Sequence, residues 1–272
     1  MTDTVLAVRD VARRFGGGRA WLGRSRPQVR AVDGVSLDVP RGRTLGIVGE
    51  SGCGKSTLAR IMVGLLLPTS GDVEIDGRSV AVLARRERKT LHRKVQMVFQ
   101  DPVGSLNPRK TVQQILEAPL KALHGMARPQ RRARVAELMA LVSLRAEFAE
   151  RYPHEFSGGQ AQRIGIARAL AADPQVIVLD EPVSALDVSV QAQVLMLLAD
   201  LQARLNLTFV FISHDLAVVE TIADDVAVMY FGKVVERGPR ARVFAAPQHD
   251  YTRLLLASVP RGRRRSPIGP EA

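Results

Sequence analysis

Gly49-Glu50-Ser51-Gly52-Cys53-Gly54-Lys55-Ser56 decides the reading of this chain, because it fits the pattern G-x-x-x-x-G-K-[ST]. Glycines at these places let successive backbone N–H groups turn inward around phosphate oxygens, and the helix that follows aims its positive end at them. Lys55 is placed to reach the outer phosphates, and the Ser56 hydroxyl, with Thr57 beside it, to reach a magnesium ion. Average composition produces the bare pattern in about one chain of this length in a hundred. The context is what such a loop needs. Thr44 to Val48 reads as a buried strand, and Ser56 to about Leu66 as a helix ended by Pro68. Cys53 stands in the loop at a helix start, which predicts a lowered thiol pKa and ready alkylation.

Further elements extend outward from the loop. Upstream, Val5 to Val8 and Gly34 to Val39 read as strands, joined through a glycine-rich loop from Gly16 to Pro27. Downstream, Asp72 to Ile75 is a strand and Asp76-Gly77 a hairpin turn. Thr111 to about Ala172 is helical by its apolar spacing, with Val112, Ile115, Leu116 and Leu120, then Val135, Leu138, Met139 and Val142. Strands return at Val176 to Leu179 and Thr208 to Ile212, with a helix from about Ser189 to Leu205 between them. Val226 to Tyr230 and Lys233 to Glu236 form a closing hairpin. The chain is therefore α/β with a helical insert near 101–171.

A phosphate loop alone leaves kinases, GTPases and motor ATPases open. The run Val176-Ile177-Val178-Leu179-Asp180-Glu181 narrows the choice. Asp180, at the strand end, is placed to hold the metal, and Glu181 to polarise an attacking water, a role that a small-molecule kinase does not need. Phe156-Ser157-Gly158-Gly159-Gln160 opens a second helix with a serine cap and two glycines in its first turn. Each glycine costs such a helix roughly 1 kcal/mol against alanine, and close backbone approach to an anion is the reason read here.

Composition sets outer bounds. The chain has 272 residues, 46% of them hydrophobic, a formal net charge of +12 and one cysteine. A single thiol excludes a disulfide scaffold and a zinc-finger array and suits a reducing compartment. The apolar runs fall short of the ~18 residues of a membrane span, and the first residues carry no signal-peptide pattern, so the expectation is a cytoplasmic chain. Only six of the 39 basic residues are lysine. The excess of arginine reads first as compositional habit on solvated faces, with nucleic acid or an anionic membrane as alternatives. At 4%, aromatics are too few for a base-stacking platform, so no nucleic acid is expected. Residues 259–272 read as a basic Gly/Pro/Arg tail, expected to be disordered.

These motifs, in this order, resemble the ATP-binding subunits of ABC transporters over about residues 5–258. The resemblance implies a P-loop NTPase (RecA-like) core with an antiparallel β subdomain and an inserted helical subdomain. It makes residues 1–258 one nucleotide-binding domain using ATP and Mg2+. It implies that Ser157-Gly158-Gly159-Gln160 is the signature facing the γ-phosphate held by a second subunit. Gln100, closing the strand Val95 to Phe99, matches the glutamine that touches metal and water. Asp187 in Ser184-Ala185-Leu186-Asp187 matches the loop at the dimer interface. His214 after Phe209-Val210-Phe211-Ile212-Ser213 matches the switch histidine, and Phe15, with Trp21 as its rival, the aromatic that stacks on adenine.

The stretches Gln100-Asp101-Pro102, Ser105-Leu106-Asn107-Pro108-Arg109, Tyr152-Pro153-His154-Glu155-Phe156 and Glu181 to Val190 are similar to the oligopeptide/dipeptide importer branch. His249-Asp250-Tyr251-Thr252 with Leu254-Leu255-Leu256 resembles its C-terminal helix. Ala161 stands where that branch often has arginine, and its cysteine-bearing C-terminal extension is missing, which keeps nickel importers as the near alternative. The implied partners are membrane-spanning permease subunits, a second identical or related ATPase, and, through the permease, an extracytoplasmic substrate-binding protein. The implied place is peripheral, at the cytoplasmic face of the cell membrane. The rival from another class, a soluble ABC ATPase acting on nucleic acid or ribosomes, usually shows a coiled-coil insert, zinc cysteines or two cassettes. An exporter component commonly carries fused membrane spans.

Overall fold

The computed structural model describes residues 3–16 and 28–258. Most of the loop expected over 16–27, with Trp21, and the basic tail lie outside the described residues. The chain begins with β1 (Thr4–Gly16) and β2 (Gln28–Pro40), paired antiparallel with Val8 opposite Leu37 and Val11 opposite Val35. A register shift between Val8 and Val11 falls at Asp10, which takes a positive φ of 46° and donates its N–H to Ser36 Oγ at 2.9 Å. β3 (Thr44–Val48) is buried at every residue and leads through the glycine loop into α1 (Lys55–Met62). That helix ends sooner than the sequence suggests. Gly64 turns left-handed at φ 74°, and the N–H groups of Leu65 and Leu66 fold back onto the carbonyl of Arg60, before Pro68 is reached.

β4 (Ser70–Ile75) pairs with the free edge of β1 and, through Asp76 and Gly77, with β5 (Arg78–Ser79). Both turn residues have positive φ, 48° and 68°, as a two-residue hairpin loop requires. Two short helices then appear that the sequence reading lacks: α2 (Val80–Arg86), capped by Ser79, and α3 (Arg88–Lys94). β6 (Val95–Val98) follows. α4 (Val112–His124), α5 (Arg128–Leu141) and α6 (Gly158–Leu170) make up most of the helical stretch. β7 (Val176–Asp180), α7 (Val188–Leu205) and β8 (Thr208–Ser213) agree with the expected elements to within a residue or two. α8 (Leu216–Ile222) precedes the hairpin of β9 (Asp225–Tyr230) and β10 (Lys233–Pro239). α9 (Arg240–Ala245) and α10 (Asp250–Ala257) complete the described chain.

The strands form two sheets. The antiparallel one has the order β2-β1-β4-β5, and the other β10-β9-β3-β8-β7-β6, parallel except for its β10 edge. Alternation along the parallel strands splits the interior in two. Leu45, Ile47, Val178, Val210 and Ile212 face one cluster together with α1 and the antiparallel sheet. Ile177, Leu179, Phe209 and Phe211 face the other, packed with α4 to α7. The carboxyl ends of β3, β6, β7 and β8 consequently meet at one rim of the sheet, where ligands bind in open α/β folds.

Candidate nucleotide site

The phosphate loop at this rim is shaped by positions that exclude a side chain. A Cβ on Gly54, where φ is 109°, would stand 1.9 Å from the Ala31 carbonyl oxygen. One on Gly49 would stand 2.2 Å from that of Met229. Gly52 takes φ 80° with open space around it. Lys55 is only 4% exposed. Its Nζ donates to the carbonyls of Gly49 and Glu50, both at 2.7 Å, so the ammonium sits inside the loop.

Two hard oxygen donors face each other across the rim. Ser56 Oγ donates to Asp180 Oδ1 at 3.0 Å. Burial raises the Asp180 carboxyl above its ordinary range, and neighbouring Glu181 adds to this, while the Ser56 hydrogen bond opposes it. Glu181 follows at the strand exit with a positive φ of 48°, its N–H held by the Ile212 carbonyl at 2.9 Å. Its Oε2 accepts from Gln100 Nε2 at 3.0 Å and meets His214 Nδ1 at 3.1 Å. Three residues that the sequence reading named separately thus converge on one carboxylate oxygen.

The cavity they border has a volume of about 610 Å3. It is lined by Gly49, Glu50, Ser51, Gly52, Gly54, Lys55, Ser56, Thr57, Gln100, Glu181 and His214. Ala31 and Leu255 complete the lining, and the sequence reading missed both. Ala31 has no sequence signal; Leu255 lies in the C-terminal helix that the reading noticed but gave no role.

Other named residues lie elsewhere. Ser157 caps α6, its Oγ accepting from Gln160 N at 3.4 Å while Gln160 Oε1 accepts from Ser157 N at 3.1 Å. Neither residue lines the cavity. At Gly159 a second reason for glycine stands beside the close approach to an anion expected from the sequence. A Cβ there would stand 2.3 Å from Val190 Cγ1 of α7, so packing inside this chain already requires glycine. Gly158 is exposed, and a Cβ on it would meet only Leu186 Cδ2, at 3.3 Å. Asp187 caps α7, its Oδ1 accepting from the N–H of Ser189 and of Val190 and from Ser189 Oγ, and the last of these leads in holding its pKa below the usual range. Phe15 is 40% exposed, with the Arg13 guanidinium 4.8 Å from its ring centre.

Cys53 overturns the expectation of a reactive thiol. Its side chain joins the hydrophobic cluster under the loop, and burial pushes its pKa up, outweighing the opposing pull of Lys55. The thiol should therefore react with iodoacetamide at pH 7.5 more slowly than free cysteine, by tenfold or more. Mass spectrometry of timed quenches checks this, and a rate equal to that of free cysteine would contradict the burial.

A strand, a glycine loop and a helix, with an acid pair closing a strand two places along the same sheet, define a phosphate-loop nucleotide-binding ATPase core. Residues 32–184 match the family described as ABC transporter. The chain belongs to that family and is an ABC-type ATPase. It is 50% identical over 98% of its length to the oligopeptide transport ATP-binding protein AppF of Bacillus subtilis (strain 168), covering 81% of that protein. With the dipeptide transport ATP-binding protein DppF of Escherichia coli (strain K12) it shares 54% identity over 86% of its length and 70% of the relative's. Among solved structures, the ATP-binding cassette MJ0796, dimeric in a post-hydrolysis state with ADP and Pi, superposes with a TM-score of 0.77 at 31% identity. That superposition covers 86% of this chain and 98% of the other.

Proposed function

We propose that this chain hydrolyses ATP, with Mg2+, to power a binding-protein-dependent peptide importer from the cytoplasmic face of the membrane. The observation that carries the reading is the carboxylate of Glu181, held by Gln100 and His214 at the edge of a phosphate cradle. The N–H groups from Ser51 to Thr57 would receive the phosphates, and Lys55 would hold the outer two. Ser56 and Asp180 would hold a magnesium ion, since both are hard oxygen donors and they meet at the edge of the cradle. Bound there, the metal neutralises charge developing on the phosphate oxygens. Glu181 polarises the attacking water, Gln100 and His214 fix its orientation, and His214 senses the γ-phosphate.

The signature residues Ser157, Gly158, Gly159 and Gln160 sit outside the cavity. This supports a composite site in which they close on nucleotide held by a second subunit, with Asp187 at that interface and Phe15 against adenine. The dimeric state of MJ0796 is in keeping with it. Residues 1–258 would then act as one domain whose helical part, about 101–171, grips the permease loops. No helix among the described residues is long and apolar enough to cross a membrane; the proposal assigns the transport path to the permease chains. The names of AppF and DppF support peptide as cargo. In proteoliposomes holding this chain with its permease and partner ATPase, peptide-loaded binding protein should raise ATP turnover at least several-fold. Stimulation by a nickel-loaded binding protein instead would overturn the peptide assignment.

The buried Asp180 carboxylate makes a prediction about pH. Its folded pKa is raised, so the carboxyl favours the fold while protonated, and that contribution is lost as pH rises through the folded value. Asp180→Asn should thus melt higher than the parent at pH 8 without divalent metal, by about 2–4 °C for each kcal/mol in a domain of this size. The advantage should shrink in the acid range, and Mg2+-dependent stabilisation by ATP should vanish. A variant that still gains stability from Mg2+ over ATP alone would remove Asp180 from the metal site.

A further inference from the structure

We propose that Tyr251, on the C-terminal helix α10, is a positioning residue for the phosphate loop, acting through the Gly49–Glu50 peptide to hold Lys55 in place. The inference rests on the nucleotide-site reading above and extends it to a residue outside the loop.

One peptide plane is held at both edges. Tyr251 Oη accepts from Glu50 N at 3.1 Å, while the carbonyl on the other side of the same peptide, Gly49 O, accepts from Lys55 Nζ at 2.7 Å. Rotation of that plane would break both bonds together. Gly49 has φ 152° and no side chain, so its own conformational preferences resist such rotation weakly. The phenol supplies the missing constraint.

Tyr251 is itself firmly seated. It is buried, and its ring centre lies 4.1 Å from that of Tyr230 at the end of β9. The start of α10 is tied down by two groups: His249 Nδ1 accepts from Tyr251 N at 3.1 Å, and the Glu236 carboxylate accepts from Gln248 N and His249 N at 2.8 and 3.0 Å. One turn further on, Leu255 lines the nucleotide cavity. Burial also raises the phenol's pKa, which keeps it a neutral hydroxyl at physiological pH. The C-terminal helix, to which the transport reading gives no task, thereby braces the loop from outside.

The hydroxyl contributes to ground state and transition state alike, because it shapes the cradle before chemistry begins. Tyr251→Phe keeps the ring against Tyr230 and removes only the hydrogen bond. It should raise the KM for ATP about three- to tenfold, the range that one hydrogen bond sets, with kcat within twofold. Its melting temperature should stay within about 2 °C of the parent, whereas Tyr251→Leu should lose both affinity and stability. Affinity is read with a fluorescent ATP analogue on the full chain and KM on the assembled transporter. Unchanged affinity and KM in Tyr251→Phe would overturn the proposal and leave Tyr251 as a packing residue. Lys55→Ala separates the two layers: loss of ATP binding there upholds the phosphate-loop reading whatever Tyr251 does. Retention of ATP binding would overturn that reading and this inference with it.

Discussion

Glu181→Gln should bind ATP with near-parental affinity and hydrolyse it ~10²–10⁴-fold more slowly, the usual cost of removing a general base. The structure explains why binding survives. Glu181 borders the cavity but forms no part of the cradle, whose glycines, Lys55 and Ser56 are untouched by the change. The amide has the size of the carboxylate and keeps an oxygen for Gln100, so the strained backbone at φ 48° has no new reason to relax. What disappears is the charge that draws a proton from water. The check is single-turnover hydrolysis beside equilibrium binding of a fluorescent nucleotide. Turnover within a few-fold of the parent would end the assignment of Glu181 and transfer the role to His214.

Ser157→Arg should abolish hydrolysis while leaving ATP capture by the isolated chain unchanged. Ser157 is exposed at the start of α6 and outside the cavity, so its own protomer's nucleotide does not need it. Losing the cap costs about 1 kcal/mol, which a domain of this size tolerates. A long cationic side chain there should prop open any closure of two subunits over ATP. Gly159 is a poorer probe, since any side chain runs into Val190 and perturbs the packing of α6 on α7. ATP-driven dimerisation, followed by size-exclusion chromatography with light scattering in a Glu181→Gln background, reads the effect directly. Lost ATP binding in the isolated Ser157→Arg chain would place the signature in its own pocket and defeat the two-subunit site.

Legibility in the sequence followed burial. β3, β7 and β8 stood out because strands covered on both faces read as unbroken apolar runs, bounded here by loop residues. α2 and α3 did not, because only Val80, Leu83 and Leu91 of their fourteen residues are buried and the rest reads as a charged surface stretch. The reach of α1 was overestimated for a related reason: Leu65, Leu66 and Leu67 prolong the apolar pattern, whereas the left-handed turn at Gly64 decides where the helix stops. At the site, the phosphate loop and Asp180-Glu181 could be read because spacing along the chain carries their chemistry. Tyr251 could not, since its partner Glu50 lies 201 residues away. The Cys53 thiol was misread, and the packing role of Gly159 missed, for one reason. Each answers to a neighbour within the chain, the cluster under the loop or Val190, that no local pattern announces.

The central place of β3 also bears on how the chain is made. One edge of this strand pairs with β8 and the other with β9, so residues 44–48 wait for residues 208–230. At about 5–20 residues per second, the ribosome needs on the order of 8–40 s to supply those partners. Throughout that interval the nascent chain carries an apolar strand with both edges open. ATP therefore has no finished cradle to bind until β9 emerges, and ligand-assisted folding starts only then. Synthesis at limiting chaperone supply should strand this protein as aggregates of near-full-length chains, and chains released before β9 should be cleared by proteolysis even though they contain the entire phosphate loop.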